Sequence, residues 1–209
     1  IDRFLEMELH VKPIPAYSVN EHENGNGSLM RMLPLIFFLA SKPPKDHFKI
    51  ISEVSALTHA HDRSVIGCFI YVEYAIELLK GTEKHTAYHI IKSQISGMLD
   101  HLVNPAELNY YCRLLEGNIN EYPEESIKSS TYVLHTLEAV IWTLLRSQDF
   151  SETLLNAVNL GGDTDTIGAL AGGLAGLIYP LDQISGEWIT KLARKDDILD
   201  LSMRFSLSL

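Results

Sequence analysis

The chain has 209 residues, a formal net charge of −10 and a hydrophobic fraction of 46%. A chain of this length can bury a sizeable core in one large domain or two small ones. The negative net charge argues against non-specific binding to nucleic acid or to an anionic membrane, because both need a positively charged surface. An anionic substrate stays open, since a bound cation can reverse the local field.

The cysteine content and the hydropathy bear on where the protein works. Cys68 and Cys112 are the only cysteines, so neither a disulfide framework nor a zinc site is expected, and a reducing, cytoplasmic location is predicted. The longest apolar run, 167–179, is shorter than the roughly 20 residues that span a bilayer. No secretory signal is predicted at the N-terminus. The start at Ile1 suits a piece of a longer gene product and equally a processed chain.

Helical periodicity dominates the chain after an irregular first segment, residues 1–27, whereas strand-like alternation is scarce. Helices are predicted, in chain order, from Ser28 to Pro43, from Asp46 to about Leu57, at 62–79, 82–102, 105–117, 132–145 and 149–158, from Thr166 to Pro180, and around Trp188 in the tail. Residues 117–131 are expected to be a loop. The sequence therefore predicts an all-α fold, a compact orthogonal bundle of many helices in a single domain covering 1–209.

The most informative segment is the turn Gly161-Gly162-Asp163-Thr164-Asp165-Thr166. Its glycines permit a sharp backbone turn, and its carboxylates and hydroxyls can converge on one point. Such hard oxygen ligands suit Mg²⁺ or Mn²⁺. The competing interpretation is helix capping, for which Asp and Thr are favoured. Gly168, Gly172 and Gly176 follow at intervals of four, which predicts that the next helix is buried at the centre of the domain.

A second glycine turn, Asn24-Gly25-Asn26-Gly27-Ser28, leads directly into the segment that carries Arg31. Glycines let the backbone come close to a ligand, and the free N–H groups of a helix's first turn attract phosphate. Arg31 can add a positive charge there or pair with an acidic side chain. The alternative is an ordinary flexible turn capped by Ser28, because short glycine turns are weak motifs.

Two further segments combine polar and aromatic residues at predicted helix starts. Thr58-His59-Ala60-His61-Asp62 carries two histidines that can bind a metal or contact a phosphate, although histidines at helix ends also act as caps. Ser129-Ser130-Thr131-Tyr132 ends a loop, and its tyrosine can stack on a nucleobase. The plainer interpretation of the second segment is a capping serine and a half-buried tyrosine.

Taken in order, these segments resemble the ADP-ribosylglycohydrolases of the dinitrogenase-reductase-activating type. The resemblance is carried by 25–31, by Thr58-His59, by Tyr132-Val133 with 136–139, and by 161–166. It implies an all-α fold around a two-magnesium centre. It also implies hydrolysis of the glycosidic bond between ADP-ribose and a modified target, so the implied partner is ADP-ribose or an ADP-ribosylated protein.

The resemblance also assigns residues to the site. Asp163, Asp165 and Thr166 are the implied metal ligands, with Mg²⁺ expected and Mn²⁺ as the alternative. The implied substrate-binding residues are Gly25, Asn26, Gly27 and Ser28 near the phosphates and distal ribose, His59 in the same cleft, and Ser130 and Tyr132 near the adenine. No catalytic residue is implied within this chain.

The chain departs from the family pattern in two respects. The family's N-terminal half has a Gly-Asp-containing helix and a Thr-Asp-Asp-Thr-type motif that supply further metal ligands and a catalytic carboxylate, and neither is found here. Thr131 stands where the family usually has glycine. The chain is therefore expected to be the C-terminal two-thirds of a longer domain. It is either part of a hydrolase, or a non-catalytic ADP-ribose-binding or structural member, or a fragment that is unstable alone.

Overall fold

The computed structural model describes residues 24–209, and the predicted irregular segment before Asn24 lies outside this range. The helices of the described part are α1 Leu35–Leu39, α2 Pro44–Ala56, α3 Asp62–Leu79, α4 Lys84–Leu99, α5 Pro105–Leu108, α6 Cys112–Leu115, α7 Val133–Arg146, α8 Phe150–Asn159, α9 Thr164–Ile178, α10 Gly186–Lys191 and α11 Lys195–Ser206. Short 3-10 turns lie at Leu29–Arg31, Asn109–Tyr111, Ile119–Glu121, Glu124–Ser126 and Leu181–Gln183. Within residues 24–209 the prediction of an all-α multi-helix bundle is confirmed.

Helix α3 forms the centre of the bundle. Every residue from Arg63 to Ile76 is buried, because α1, α2, α4, α7 and α9 all pack against it. A helix that is apolar on nearly all sides is stable in water only when it is enclosed in this way. Both of its predicted ends are confirmed, and Gly81 beyond it has the positive φ of 85° that suits a glycine stop.

Helices α7, α8 and α9 form a second packed group on one side of α3. Gly168 and Gly172 of α9 face α8, and a Cβ built on Gly172 would lie 2.8 Å from a methyl carbon of Leu154. Close packing is thus confirmed for these two positions, but the centre of the bundle is α3, and α9 is partly exposed, as at Ala169. Gly176 has open space beside it, whereas Gly173 is the residue that abuts Leu33.

Capping explains why α8 was predicted well. The Asp149 carboxylate accepts a hydrogen bond from the Glu152 amide at 2.8 Å, and the Glu152 carboxylate accepts one from the Gln148 amide at 2.6 Å. The first bond satisfies one of the N–H groups that a helix start leaves without partners, and the second ties the residue before the N-cap to the helix. The predicted span of 149–158 compares with the observed Phe150–Asn159.

The first predicted helix was wrong as a continuous element. Instead of running from Ser28 to Pro43, the chain makes a 3-10 turn at Leu29–Arg31 and then the short α1, with Pro34 as its N-cap. Proline has no N–H to donate and clashes with the preceding turn, so a helix can begin at it but not continue through it. Asp46 likewise lies in the first turn of α2 and does not cap it.

The predicted helices at 82–102 and 105–117 also need correction. The first begins after Glu83, whose carboxylate accepts the amides of the first turn, and it ends at Leu99. The second is broken into α5, a 3-10 turn and α6. A sequence pattern does not distinguish 3-10 from α-helical turns, because both place residues three apart on one side. Two 3-10 turns also lie within the predicted loop at 117–131.

Among the described residues, no helix combines the length and the apolar character that crossing a bilayer requires.

The interior of the bundle holds charged groups, and Glu138 of α7 is one of them. Only 3% of it is exposed, and its carboxylate lies 3.5 Å from the Arg113 guanidinium. Burial raises the pKa of Glu138, although Arg113 and Lys128 oppose this effect.

This raised pKa leads to a prediction about stability. A carboxyl whose pKa is higher in the folded state stabilises the fold in acid, and that contribution is lost as the pH rises through the folded pKa. The ordinary pKa of a glutamate carboxyl is about 4.5, so the free energy of unfolding is expected to fall as the pH rises above this value. We expect this fall to be smaller in Glu138→Gln, which has no carboxyl to titrate. Denaturant titrations across that range measure this fall. The exposed Glu125→Gln is the control, and equal pH dependence in the two variants would contradict the assignment.

Candidate functional site

The first turns of α3, α7 and α9 meet at one end of the bundle, next to the glycine turn at 24–28. The Asn24 side chain accepts a hydrogen bond from Ser64 of α3 at 2.9 Å, and its carbonyl accepts one from the Val133 amide that opens α7 at 3.0 Å. Helix starts carry partial positive charge and free N–H groups. The opening amides of α3 and α7 already donate to His61 and Asn24, so it is the partial positive charge of these helix starts that favours an anionic ligand at this end.

Asn26 connects the glycine turn to both α7 and α9. Its backbone amide donates to the Thr131 carbonyl at 2.9 Å. Its side-chain Nδ2 donates to Thr136 Oγ1 at 2.8 Å and to Asp163 Oδ2 at 2.5 Å. Asn26 is only 6% exposed, so each of these bonds would be expensive to leave unmade.

Asp163 stands at the start of α9, but its side chain makes no capping bond to the helix. One carboxylate oxygen accepts from Asn26, and the other accepts from the Thr166 hydroxyl at 3.1 Å. The Asp163 amide donates to the Ser129 carbonyl at 2.8 Å. Helix capping therefore does not account for this residue, and the carboxylate is held at the junction of the two turns.

Asp165 is exposed and, with the largely buried Thr166, lines a cleft of about 270 Å³. The rest of the lining of this cleft is mostly apolar and includes Met30, Leu33 and Tyr71. In the described part of the chain, there is no group of three or more His, Cys, Asp or Glu side chains that could hold a metal ion. The acidic turn thus offers two carboxylates and one hydroxyl, which is part of a ligand set for a hard cation.

The acidic turn needs glycine for two separate reasons. Gly161 and Gly162 have φ values of 74° and 62°, a region that side chains rarely adopt. At Gly162 there is also no room, since a Cβ would lie 2.1 Å from the Ser129 carbonyl oxygen. Ser129 is itself held in place, because its hydroxyl donates a hydrogen bond to the Leu160 carbonyl at 3.1 Å.

The two histidines of the predicted pair have different surroundings. His59 packs on the glycine turn so closely that a Cβ on Gly27 would lie 2.9 Å from its ring. His61 instead caps α3 by accepting the Arg63 amide at 3.2 Å, and it lies 3.9 Å from Glu107. The structure therefore places His59 with the predicted site residues, whereas capping describes His61.

Ser130 and Tyr132 lie beside the glycine turn, because Gly25 and Tyr132 form an isolated β-bridge. The exposed Ser130 hydroxyl is paired with His135 Nδ1 at 2.8 Å, and the Tyr132 ring meets the His135 ring edge-on at 5.0 Å. Burial raises the pKa of Tyr132, while the nearby Arg63 opposes this. Thr131 is exposed, so its extra side chain leaves the backbone bond to Asn26 intact.

The predicted site residues Gly25, Asn26, Gly27, Ser28, His59, Ser130, Tyr132, Asp163, Asp165 and Thr166 thus lie on segments that contact one another at one end of the bundle. The roles assigned to them remain predictions. The residues that sequence reasoning missed are those that join the segments: Asn24, Thr136 and the Ser129 backbone. Each of them stands within a segment named above, but nothing in the sequence distinguishes it from its neighbours as a residue that joins two segments.

Comparison with known proteins identifies the class to which this fold and site belong. The sequence profile of the family described as ADP-ribosylglycohydrolase matches residues 3–208. The chain therefore belongs to the ADP-ribosylglycohydrolase family. A solved structure titled ADP-ribosylglycohydrolase-related protein complex is similar to 97% of this chain, with a TM-score of 0.77 and 28% identity, and the match covers 66% of that chain.

Two similar proteins are named as hydrolases of ADP-ribosyl groups. The ADP-ribosylarginine hydrolase Tri1 of Pseudomonas putida is 30% identical over 181 residues, which are 85% of this chain and 44% of that protein. The ADP-ribosyl-(dinitrogen reductase) glycohydrolase of Rhodospirillum rubrum is 29% identical over 176 residues, which are 84% of this chain and 53% of that protein. The chain thus spans about half the length of these relatives.

The steric account of the acidic turn predicts a graded series of alanine variants. We expect Gly162→Ala to lower the free energy of unfolding by about 2 kcal/mol or more, because it adds a clash to an unfavourable φ. Gly161→Ala, with open space beside it, should cost about 1 kcal/mol. Gly97→Ala in α4 should be neutral or stabilising by up to about 1 kcal/mol. Thermal or urea unfolding tests the order, and equal losses at 161 and 162 would contradict it.

Proposed function

We propose that this chain forms the C-terminal part of the active site of a magnesium-dependent ADP-ribosyl glycohydrolase, which cleaves the bond between ADP-ribose and a modified protein. Family membership supports the reaction class. The observation that carries the proposal is the Asn26 amide, which joins the glycine turn to the Asp163 carboxylate at 2.5 Å. A turn suited to phosphate and a turn suited to a cation thereby form one site.

Asp163, Asp165 and Thr166 would hold the metal from this side. Their oxygens are of the hard type that Mg²⁺ prefers, and protein sites for this ion commonly use one or two carboxylates with substrate and water. Mn²⁺ suits the same donors. When bound, such an ion polarises an attacking water and orients hydroxyl groups. The remaining ligands and a catalytic carboxylate would come from residues other than these three.

The glycine turn has the properties of a substrate cradle. Glycine at positions 25 and 27 lets the His59 ring pack against the backbone of the turn, and the partial positive charge of three helix starts beside the turn favours the pyrophosphate of ADP-ribose. Tyr132 offers a ring to the adenine end. These contacts lie away from the bond to be broken, so their binding energy would orient the distal ribose for attack.

The proposed substrate is an ADP-ribosylated protein, and an arginine-linked one is the first to test. One similar protein is named as an ADP-ribosylarginine hydrolase, and another as a glycohydrolase of ADP-ribosyl-dinitrogen reductase. We also propose a cytoplasmic location, because Cys68 and Cys112 are both free thiols and such thiols suit a reducing compartment.

Carboxamide variants test the metal assignment. We expect Asp163→Asn and Asp165→Asn each to raise the Mg²⁺ concentration needed for half-maximal hydrolysis by roughly tenfold or more, because a ligand charge is removed. Hydrolysis of an arginine-linked ADP-ribosyl protein is measured across a Mg²⁺ titration. The exposed Asp182→Asn is the control.

Two outcomes would contradict the proposal. Unchanged Mg²⁺ dependence in both variants would exclude Asp163 and Asp165 as ligands. Binding of ADP-ribose by the unmodified chain within the full-length protein, with no turnover at any Mg²⁺ concentration, would instead favour the non-catalytic member of the family.

A further inference from the structure

A buried hydroxyl on α7 lies between segments of the candidate site. Thr136 is fully buried, and its backbone amide donates to the Tyr132 carbonyl at 3.0 Å where α7 begins. Its hydroxyl oxygen lies 2.8 Å from the side-chain nitrogen of Asn26 and 3.0 Å from the Ser130 carbonyl oxygen. The helix therefore holds one hydroxyl between the glycine turn and the segment that ends at Tyr132.

The direction of each hydrogen bond is set by groups that can act in only one way. The Ser130 carbonyl can only accept, so the single proton of the Thr136 hydroxyl is donated to it. The Thr136 oxygen then accepts from Asn26, which requires the amide nitrogen Nδ2 to point towards it. The second proton of Nδ2 is donated to Asp163 Oδ2 at 2.5 Å, since an ionised carboxylate accepts only.

The opposite orientation of the Asn26 amide would leave groups unpaired. With Oδ1 in place of Nδ2, two acceptor oxygens would face each other at the Asp163 carboxylate, and the Thr136 hydroxyl would have two acceptors for its one proton. Protonation of Asp163 would remove the first conflict but not the second. Asn26 is only 6% exposed, so water does not compensate for a lost bond there. The bonds together therefore select one orientation of the amide.

This orientation bears directly on the proposed cation site. The Asp163 side chain makes no capping bond to α9, so its position depends on its side-chain partners. Oδ2 is held by Asn26, and Oδ1 is held by the Thr166 hydroxyl at 3.1 Å. Thr166 is itself one of the proposed ligands, whereas Asn26 holds the carboxylate from outside that set. A change at Thr136 would therefore reach the cation site through Asn26.

We propose that Thr136 is a positioning residue for the cation site. Its hydroxyl, oriented by the Ser130 carbonyl, holds the Asn26 amide in the orientation that donates to Asp163. The identity of the cation rests on the proposed function. The orientation of the amide does not, because it follows from bonds within the chain and can be measured without any metal.

The orientation is tested by NMR of the full-length protein without Mg²⁺. The side-chain amide protons of Asn26 are assigned by the loss of their signals in Asn26→Ala. Both protons should exchange with water roughly tenfold or more slowly than those of the exposed Asn109. In Thr136→Val, one of the two has lost its acceptor and should exchange faster. Exchange as fast as that of Asn109 in the wild type would overturn the proposal, and this result needs no Thr136 variant to fold.

Matched variants separate the hydroxyl from the shape of the side chain. Thr136→Val keeps the shape without the hydroxyl, and it should raise the Mg²⁺ concentration for half-maximal hydrolysis by roughly tenfold. Thr136→Ser keeps the hydroxyl and should stay within about twofold of the wild type. The control is Thr143→Val, because Thr143 is equally buried on α7 and its hydroxyl donates within the helix, to the Ala139 carbonyl. Equal Mg²⁺ requirements in Thr136→Val and Thr143→Val would overturn the proposal.

A double-variant cycle tests whether Thr136 acts through Asn26. Asn26→Ala removes the amide, so adding Thr136→Val to it should change the Mg²⁺ requirement by less than about twofold. A further tenfold rise in the double variant would overturn the proposed route. If the wild type shows no Mg²⁺-dependent hydrolysis, the proposed function fails, while the exchange of the Asn26 protons still decides whether Thr136 orients the amide.

Discussion

One buried amide determines how this end of the molecule is built. Asn26 donates to Asp163 at 2.5 Å and to Thr136 at 2.8 Å, partners that come from turns far along the chain. A buried amide has no water to replace these bonds, so losing one partner costs about 1–3 kcal/mol. The glycine turn, the start of α7 and the start of α9 must therefore keep their relative positions. A proposed phosphate cradle and a proposed cation site are in this way parts of one structure.

The remaining fold serves to hold those helix starts in place. Because α3 is enclosed on nearly all sides, it is a rigid base, and the close approach of α8 to Gly168 and Gly172 fixes the direction of α9. Both glycine turns permit contacts that a side chain would block. The backbone of 161–163 lies against Ser129, and that of 25–27 lies against His59. Of the polar side chains held in this way, Asp165 and Ser130 are exposed, whereas Asn26 and Ser28 are buried.

The sequence was sufficient wherever local chemistry decides the structure. Helix α3 has a continuous run of mostly apolar residues from Val65 to Val72 and a glycine stop, and Asp149 caps α8, so the limits of both helices can be predicted closely. The break at Pro34 is not visible in the pattern of apolar residues, because that pattern continues on both sides of it. The bonds at Asn26 were beyond local reasoning, since its partners are 110 and 137 residues away. The motifs predicted which segments belong to the site, but they carried no information on which atoms join them.

The most direct test of this account is calorimetric titration of ADP-ribose, with and without Mg²⁺, into the wild-type chain and into Asn26→Ala. If Asn26 makes one site of two turns, Mg²⁺ and ADP-ribose must each strengthen the binding of the other in the wild type. The account predicts this mutual effect there, and it predicts that Asn26→Ala, still folded, loses it. A variant that binds both ligands with wild-type affinity and wild-type coupling would contradict the claim that the Asn26 amide unites the site.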